Sequence, residues 1–215
     1  MFVDIHTHTF TDSGNTAIRN LTFSEANKIF ASDEKGLFSL GIHPWHAGDY
    51  SDELLNKLDS LTYDNRLFAI GECGLDKNSR FPLDFQSHVF EKQIRLSEKA
   101  QKPLIIHCVG CFNELFELKK RLNPGQRWII HGFRGKPELA QQALKVGCGL
   151  SFGEHFNIES LLITPVKHLF VETDESLLTI YEIYQQISNL KNCKLEELNA
   201  GENLIKSNLS HSTQI

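Results

Sequence analysis

The feature that most narrows what this chain can fold into is a repeated alternation of two periods. Short apolar runs of strand length are separated by stretches whose apolar residues recur at helical spacing. Strands are predicted over residues 2–5, 16–21, 37–42, 67–70, 103–106, 127–130, 146–152 and 168–171. Helices are predicted over residues 52–61, 83–100, 112–122 and 137–145, with two more, 177–190 and 195–208, closing the chain. Strands that alternate with helices form a parallel sheet covered on both faces. Eight of them predict an α/β fold, a TIM-barrel-like (β/α)8 barrel. At 215 residues the chain is a little short for that fold, which usually takes ~250. Only about ten residues separate the first two strands, too few for a crossover helix. Either one outer helix is missing after the first strand, or the second strand is not a strand. No linker, repeat or low-complexity tract interrupts the pattern, so residues 1–215 are expected to form a single domain.

The ends of the apolar runs carry the chemistry. His6 and His8 are two residues apart, and on an extended strand they share a face, so both can reach one ion. Glu72 follows a buried-looking run and lies between Gly71 and the Cys73-Gly74 pair. A carboxylate there is costly unless it is paired or ligates a metal, and the glycines are expected to let the backbone turn and approach a ligand. His107, His131 and Asp174 close three further runs. Polar residues at strand ends are common, but five ends with a metal-capable side chain are a pattern. In a barrel the C-terminal strand ends share one face, where active sites lie. Four histidines and two carboxylates suffice for two ions, the set a two-metal hydrolase needs. Mixed imidazole and carboxylate ligands suit zinc or manganese better than magnesium. His43, His46, Lys77 and Arg134 are candidate substrate contacts, and Trp45 is either a packing residue, the commoner case, or a surface for a base or sugar.

Composition excludes several classes. Twenty-two basic against 27 acidic residues leave a net charge of -5, and Lys119-Lys120-Arg121 is the densest basic cluster. Broad phosphate neutralisation is therefore not the binding mode. The five cysteines show no framework spacing, which argues against a disulfide scaffold. Cys108 and Cys111 have redox-motif spacing, but His107 beside them has the better explanation as a ligand. The start, MFVDIHTHTF, has neither a basic region nor a long apolar stretch. Neither a signal peptide nor a membrane span is expected, and a cytoplasmic monomer is.

The motifs VDIHTHTF, SLGIHPWH, AIGECGLD, PLIIHC, IIHGF and FVETD, in that order, resemble the TatD family of metal-dependent deoxyribonucleases. The resemblance runs from the first strand to Asp174. It implies a hydrolase barrel with two divalent ions, zinc, magnesium or manganese. His6, His8 and Asp174 would hold one ion, His107 and His131 the other, and Glu72 would bridge them. Glu72 and Asp174 are the expected catalytic carboxylates. Asp76, in the same motif as Glu72, is expected to orient a ligand or the loop. The implied activity is cleavage of phosphodiester bonds in DNA. The chain departs from the family at Val109, where an arginine is usual, and at Lys77-Asn78, where aromatics follow the acidic motif. Arg134 replaces a serine, and Glu175-Ser176 replaces a proline-containing segment. All six ligand positions survive, while the surroundings of a substrate have changed. Two other readings stand beside the nuclease: hydrolysis of a small phosphoester, lactone or amide, and a non-catalytic metal-binding or partner-binding barrel.

Overall fold

The computed structural model describes residues 2–9 and 16–211. The strands are β1 (Val3–Thr7), β2 (Thr16–Leu21), β3 (Leu37–Leu40), β4 (Leu67–Asp76), β5 (Leu104–Val109), β6 (Trp128–Ile130), β7 (Gly149–Phe152) and β8 (Leu169–Val171). The helices are α1 (Phe23–Phe30), α2 (Asp52–Leu61), α3 (Leu83–Ala100), α4 (Phe112–Leu122), α5 (Pro137–Lys145), α6 (Ile158–Ile163), α7 (Ile180–Lys191) and α8 (Ala200–His211). The strands follow chain order, and their described pairings are parallel. A parallel bridge between Thr7 and Asp174 ties the chain beyond β8 to the end of β1. The fold is the expected (β/α)8-like barrel. No described helix is long and apolar enough to cross a membrane.

By contacts the chain divides into two compact units, residues 1–19 with 129–215, and residues 20–128. In the first, β1 pairs with the start of β2, and β7 lies between β6 and β8. Tyr184 of α7 is buried and ties α7 to the start of β1. Its hydroxyl donates to the Val3 carbonyl at 3.0 Å and accepts from the Val3 N–H at 3.3 Å. Gly149 starts β7 because a Cβ there would sit 2.4 Å from the Phe170 ring.

In the second unit β4 pairs with β3 and β5, and all ten of its residues are buried. Trp128 packs against Phe90 with ring centroids 5.5 Å apart, and the Lys119 ammonium lies 4.6 Å over the Trp128 ring. Arg66 clamps the end of α1. Its guanidinium donates to the carbonyls of Ile29 and Phe30 at the helix end, to those of Ser32 and Glu34 just beyond it, and to the Asp64 carboxylate. Those Arg66 hydrogen bonds hold the Asp64 carboxyl below its ordinary range.

Four helices, α2 to α5, have the predicted bounds, and the differences elsewhere have local causes. Strand β4 runs on past residue 70 to Asp76, so Glu72 lies within a strand and not after one. Helix α7 starts at Ile180 because Thr179 forms a capping box with Glu182. The last predicted helix is a 3-10 turn, Leu195–Glu197, followed by α8. Two helices were not anticipated. Helix α1 has its own signature, a capping box of Thr22 with Glu25. Helix α6 is one and a half turns long, below the length at which periodicity is legible. Among the described residues no helix lies between β1 and β2; the remainder of that connection, 10–15, lies outside them.

Candidate metal centre

Each unit carries its own set of metal-capable side chains. In the first unit the end of β1 presents His6 and His8, and the chain after β8 presents Asp174. The Asp174 Oδ1 lies 3.8 Å from His6 Nε2 and 3.6 Å from His8 Nε2. Two ligand atoms ~2.1 Å from one tetrahedral ion are roughly 3.4 Å apart, so the spacing fits a shared ion. His6 is fully buried, while the His8 side chain is 37% exposed.

Asp174 is held by its neighbours. Its N–H donates to the His6 carbonyl at 3.0 Å, its carbonyl accepts from the His8 N–H at 3.2 Å, and its φ of 54° is left-handed. An aspartate tolerates that conformation better than most residues. Thr173, just before it, is tied to buried Asp4 by its N–H at 3.0 Å and its hydroxyl at 2.6 Å. Burial raises the Asp4 carboxyl to about 7 against those hydrogen bonds, with the Glu172 charge adding to the rise.

A second group in this unit joins His131, Glu172 and Asp174. Glu172 is fully buried, 3.6 Å from His131 Nδ1, and accepts the Gly132 N–H at 2.6 Å. Burial alone would raise its pKa, but His131, His6 and Ser151 pull it below the ordinary carboxylate value. The sequence reading passed over Glu172. The polar pair before Asp174 at the end of an apolar run was the available signal. Beside these groups opens a cleft of about 170 Å³, lined in part by Arg134, Glu154, His155, Glu172, Asp174 and Ser176. Arg134 therefore lies where a substrate contact was expected, and His155, given no role from sequence, lies there too.

In the second unit the donors are His43, Glu72 and His107. Strand β4 aims Glu72 and β5 aims His107, and their neighbours fix both. The Asn20 side chain accepts the Glu72 N–H at 2.9 Å. His107 Nδ1 is 2.9 Å from Glu72 Oε1, and its Nε2 is 2.9 Å from Asp76 Oδ2. An Nε2–H donating to Asp76 leaves the Nδ1 lone pair facing Glu72, the carboxylate–histidine arrangement that orients a metal ligand. His43 Nδ1 accepts the Trp45 N–H at 3.1 Å, so the neutral ring carries its proton on Nε2, 3.4 Å from Glu72 Oε1. Burial lowers the His43 pKa, which favours that neutral form. His43 is built to steady Glu72 by a hydrogen bond.

Asp76 is 1% exposed and central to this side. Burial would raise its pKa, but the Asn78 N–H, His107 and Trp45 hold it below the ordinary value. Its backbone is gripped by Gln86 of α3, whose amide oxygen accepts the Asp76 N–H at 2.8 Å and whose amide nitrogen donates to the Asp76 carbonyl at 3.0 Å. Neither Gln86 nor Asn20 was legible as a site residue, because each acts through a backbone distant in sequence. The glycines around Glu72 take φ values of 147° and 142°, the unusual backbone expected of them, and each also sits hard against the neighbouring strand. A Cβ on Gly71 would lie 2.3 Å from the Ile105 carbonyl oxygen, and one on Gly74 2.1 Å from that of His107. They admit the neighbouring strand. His46 and Lys77 are exposed. The aliphatic stem of Lys77 lies over Gly110, where a Cβ would meet its Cδ at 2.2 Å. Burial raises the Cys111 thiol, which leaves it unsuited to the nucleophilic role its spacing suggested.

No ion is needed to see that the donor sets fit a divalent metal. Imidazole and carboxylate groups converge at ligand spacing in both units. A (β/α)8-like barrel carrying such clusters is a metal-dependent hydrolase. The chain belongs to the TatD-related DNase family, whose match covers residues 4–201. It is 30% identical over 182 residues to an uncharacterized metal-dependent hydrolase, YabD, of Bacillus subtilis, which covers 74% of this chain and 71% of that protein. It is 31% identical over 169 residues to a 3'-5' ssDNA/RNA exonuclease TatD of Cronobacter sakazakii, covering 72% of this chain and 63% of that protein. The match thus spans less than two thirds of the exonuclease's own length. Among solved structures the crystal structure of YJJV, a TatD homologue from Escherichia coli K12, superposes with a TM-score of 0.81 over 94% of this chain and 95% of the other, at 20% identity. That likeness concerns the fold.

Proposed function

We propose that the chain hydrolyses phosphodiester bonds at the ends of single-stranded DNA, with two divalent ions held by His6, His8, Glu72, His107, His131 and Asp174. The observation that carries this reading is the convergence of imidazole and carboxylate donor sets at ligand spacing, two in the first unit and one in the second. The exonuclease relative supports DNA as the substrate. Zinc or manganese is preferred to magnesium because imidazoles supply most of the ligands. When bound, the ions would supply Lewis-acid activation of water and neutralise charge developing on the phosphoryl group.

The chain's own groups have distinct tasks in this reading. Asp174, whose side chain is 29% exposed on the cleft, takes the proton of the attacking water. Glu72 would hold its ion, with His43 donating to Glu72 from Nε2. Asp76 fixes the His107 ring through Nε2. Arg134 contacts the phosphate from the cleft, a guanidinium replacing the arginine lost at Val109. His46 and Lys77, both exposed, are further candidates for contact with the substrate.

Turnover should be measured with added zinc, manganese or magnesium on single- and double-stranded DNA, RNA, nucleotides, generic phosphoesters and lactones. A Glu72→Gln variant serves as control, and bound metal is counted by elemental analysis. Glu72-dependent shortening of single-stranded DNA is the expected result. The cleft of about 170 Å³ favours a second reading, a small phosphoester, lactone or amide. Glu72-dependent turnover of such a compound with DNA untouched would establish it and overturn the nuclease. Absence of all turnover with two ions bound would leave the non-catalytic barrel.

A further inference from the structure

We propose that Trp45 is a base-stacking platform beside the His43–Glu72–His107 donor set, selecting substrates that carry a nucleobase next to the bond to be cut. The inference rests on nucleic acid being the ligand and names how it is recognised. Two tryptophans occur in the chain, and they are treated oppositely by the fold. Trp128 is fully buried in the core, whereas Trp45 is 55% exposed. A single exposed apolar residue is ordinary. What sets Trp45 apart is how firmly its ring is held while remaining open.

The indole N–H donates to Asp76 Oδ2 at 2.7 Å, and Asp76 is itself buried. The ring's one polar group is thus satisfied inside the protein, and what it offers outward is aromatic surface. The turn beneath is pinned at three points. His43 Nδ1 accepts the Trp45 N–H, the His46 N–H donates to the His43 carbonyl at 2.8 Å, and the Ser79 hydroxyl donates to the Pro44 carbonyl at 2.9 Å. His43 meets the indole edge to face, with centroids 5.7 Å apart and planes at 84°. A ring already fixed loses little entropy when a ligand stacks on it.

The same carboxylate oxygen that holds the indole also meets His107 Nε2 at 2.9 Å. Asp76 therefore couples the platform's position to that of a metal-capable imidazole. A base resting on Trp45 would place its sugar and phosphate at a defined offset from His107 and Glu72. Base–aromatic stacking contributes ~1–3 kcal/mol and tolerates any base. It needs no basic surface, which suits a chain with a net charge of -5.

The test uses the metal-supplemented full chain and a nonhydrolysable single-stranded tetranucleotide, oligo(dT) with phosphorothioate linkages, against an abasic tetranucleotide of equal length. Because Trp128 is buried, quenching of exposed tryptophan emission reports on Trp45. Affinities of wild type, Trp45→Ala and Trp45→Phe are measured by polarisation of labelled oligonucleotide. Quenching by the base-bearing chain alone, an affinity about tenfold lower in Trp45→Ala, and retention within about threefold in Trp45→Phe are expected. Equal binding of base-bearing and abasic chains by wild type would overturn the proposal, as would wild-type affinity in Trp45→Ala. Hydrolysis of the corresponding natural oligonucleotides is followed in parallel. Stacking without hydrolysis supports the platform and removes the nuclease; hydrolysis indifferent to the base removes the platform and leaves the nuclease.

Discussion

Replacing Gln86 by leucine tests whether the site is held up from behind by α3. Gln86 is 2% exposed and makes three hydrogen bonds, to the Asp76 N–H at 2.8 Å, the Asp76 carbonyl at 3.0 Å and the Phe81 carbonyl at 2.7 Å. Each contributes ~1 kcal/mol net, and leaving the Asp76 groups buried without a partner adds to the loss. Leucine fills much of the volume and returns about 1 kcal/mol through apolar burial. The net expectation is a loss of about 3 kcal/mol, read by urea unfolding of chelator-treated protein. A second effect follows because Asp76 orients His107 and Trp45. Zinc or manganese affinity, measured calorimetrically, should fall by roughly ten- to a hundredfold. Gln86→Glu should be milder at low pH, where the protonated acid still donates one hydrogen bond, and should worsen as pH rises and a carboxylate faces two carbonyls. A loss below about 1 kcal/mol with unchanged metal affinity would refute the reasoning, since the three bonds would then carry neither stability nor geometry.

Asp4→Asn tests the buried acid behind Thr173. Because burial raises the folded pKa from 3.8 to about 7, the fold keeps a proton that the unfolded chain sheds. That contribution is complete below about pH 4 and is lost as pH rises to about 7, by at most roughly 4 kcal/mol. The difference between wild type and variant in metal-free unfolding should show this slope, and parallel curves would count against it. Arg66→Ala should cost about 2–3 kcal/mol by removing the guanidinium's hydrogen bonds to four carbonyls. In wild type the Asp64–Arg66 contribution should be present above the unfolded carboxyl pKa and fade as pH falls through the depressed folded value; a double-mutant cycle across the pair measures it. Gly74→Ala should cost about 2–4 kcal/mol, since its Cβ would lie 2.1 Å from the His107 carbonyl oxygen at a φ of 142°. Retained stability in thermal unfolding would show that β4 and β5 can separate without penalty.

The alternation of periods determined the fold class because strand and helix faces are written locally, two and 3.6 residues apart. The same locality made α2 to α5 legible to the residue, down to Pro137 at the start of α5 and the αL Asn123 ending α4. The motif residues were legible because each closes an apolar run. His6 and His8 are adjacent on one strand, and the Thr7–Asp174 bridge brings Asp174 to them within one unit. The amide supports were not legible. Nothing near Gln86 says that its amide grips the Asp76 backbone, nor near Asn20 that it receives the Glu72 N–H. The glycines around Glu72 show the same limit. Sequence shows that no side chain is wanted there, but only the packing of β4 on β5 shows that a carbonyl oxygen takes the space. Trp45 is the sharpest case. Its sequence context offers both packing and a stacking surface, and only the tertiary hydrogen bond to Asp76 shows the ring held open at the surface. Local periodicity specifies which face of an element is apolar; which distant backbone atom meets a given polar group is settled only when the elements pack, because that meeting depends on strand register and helix placement together.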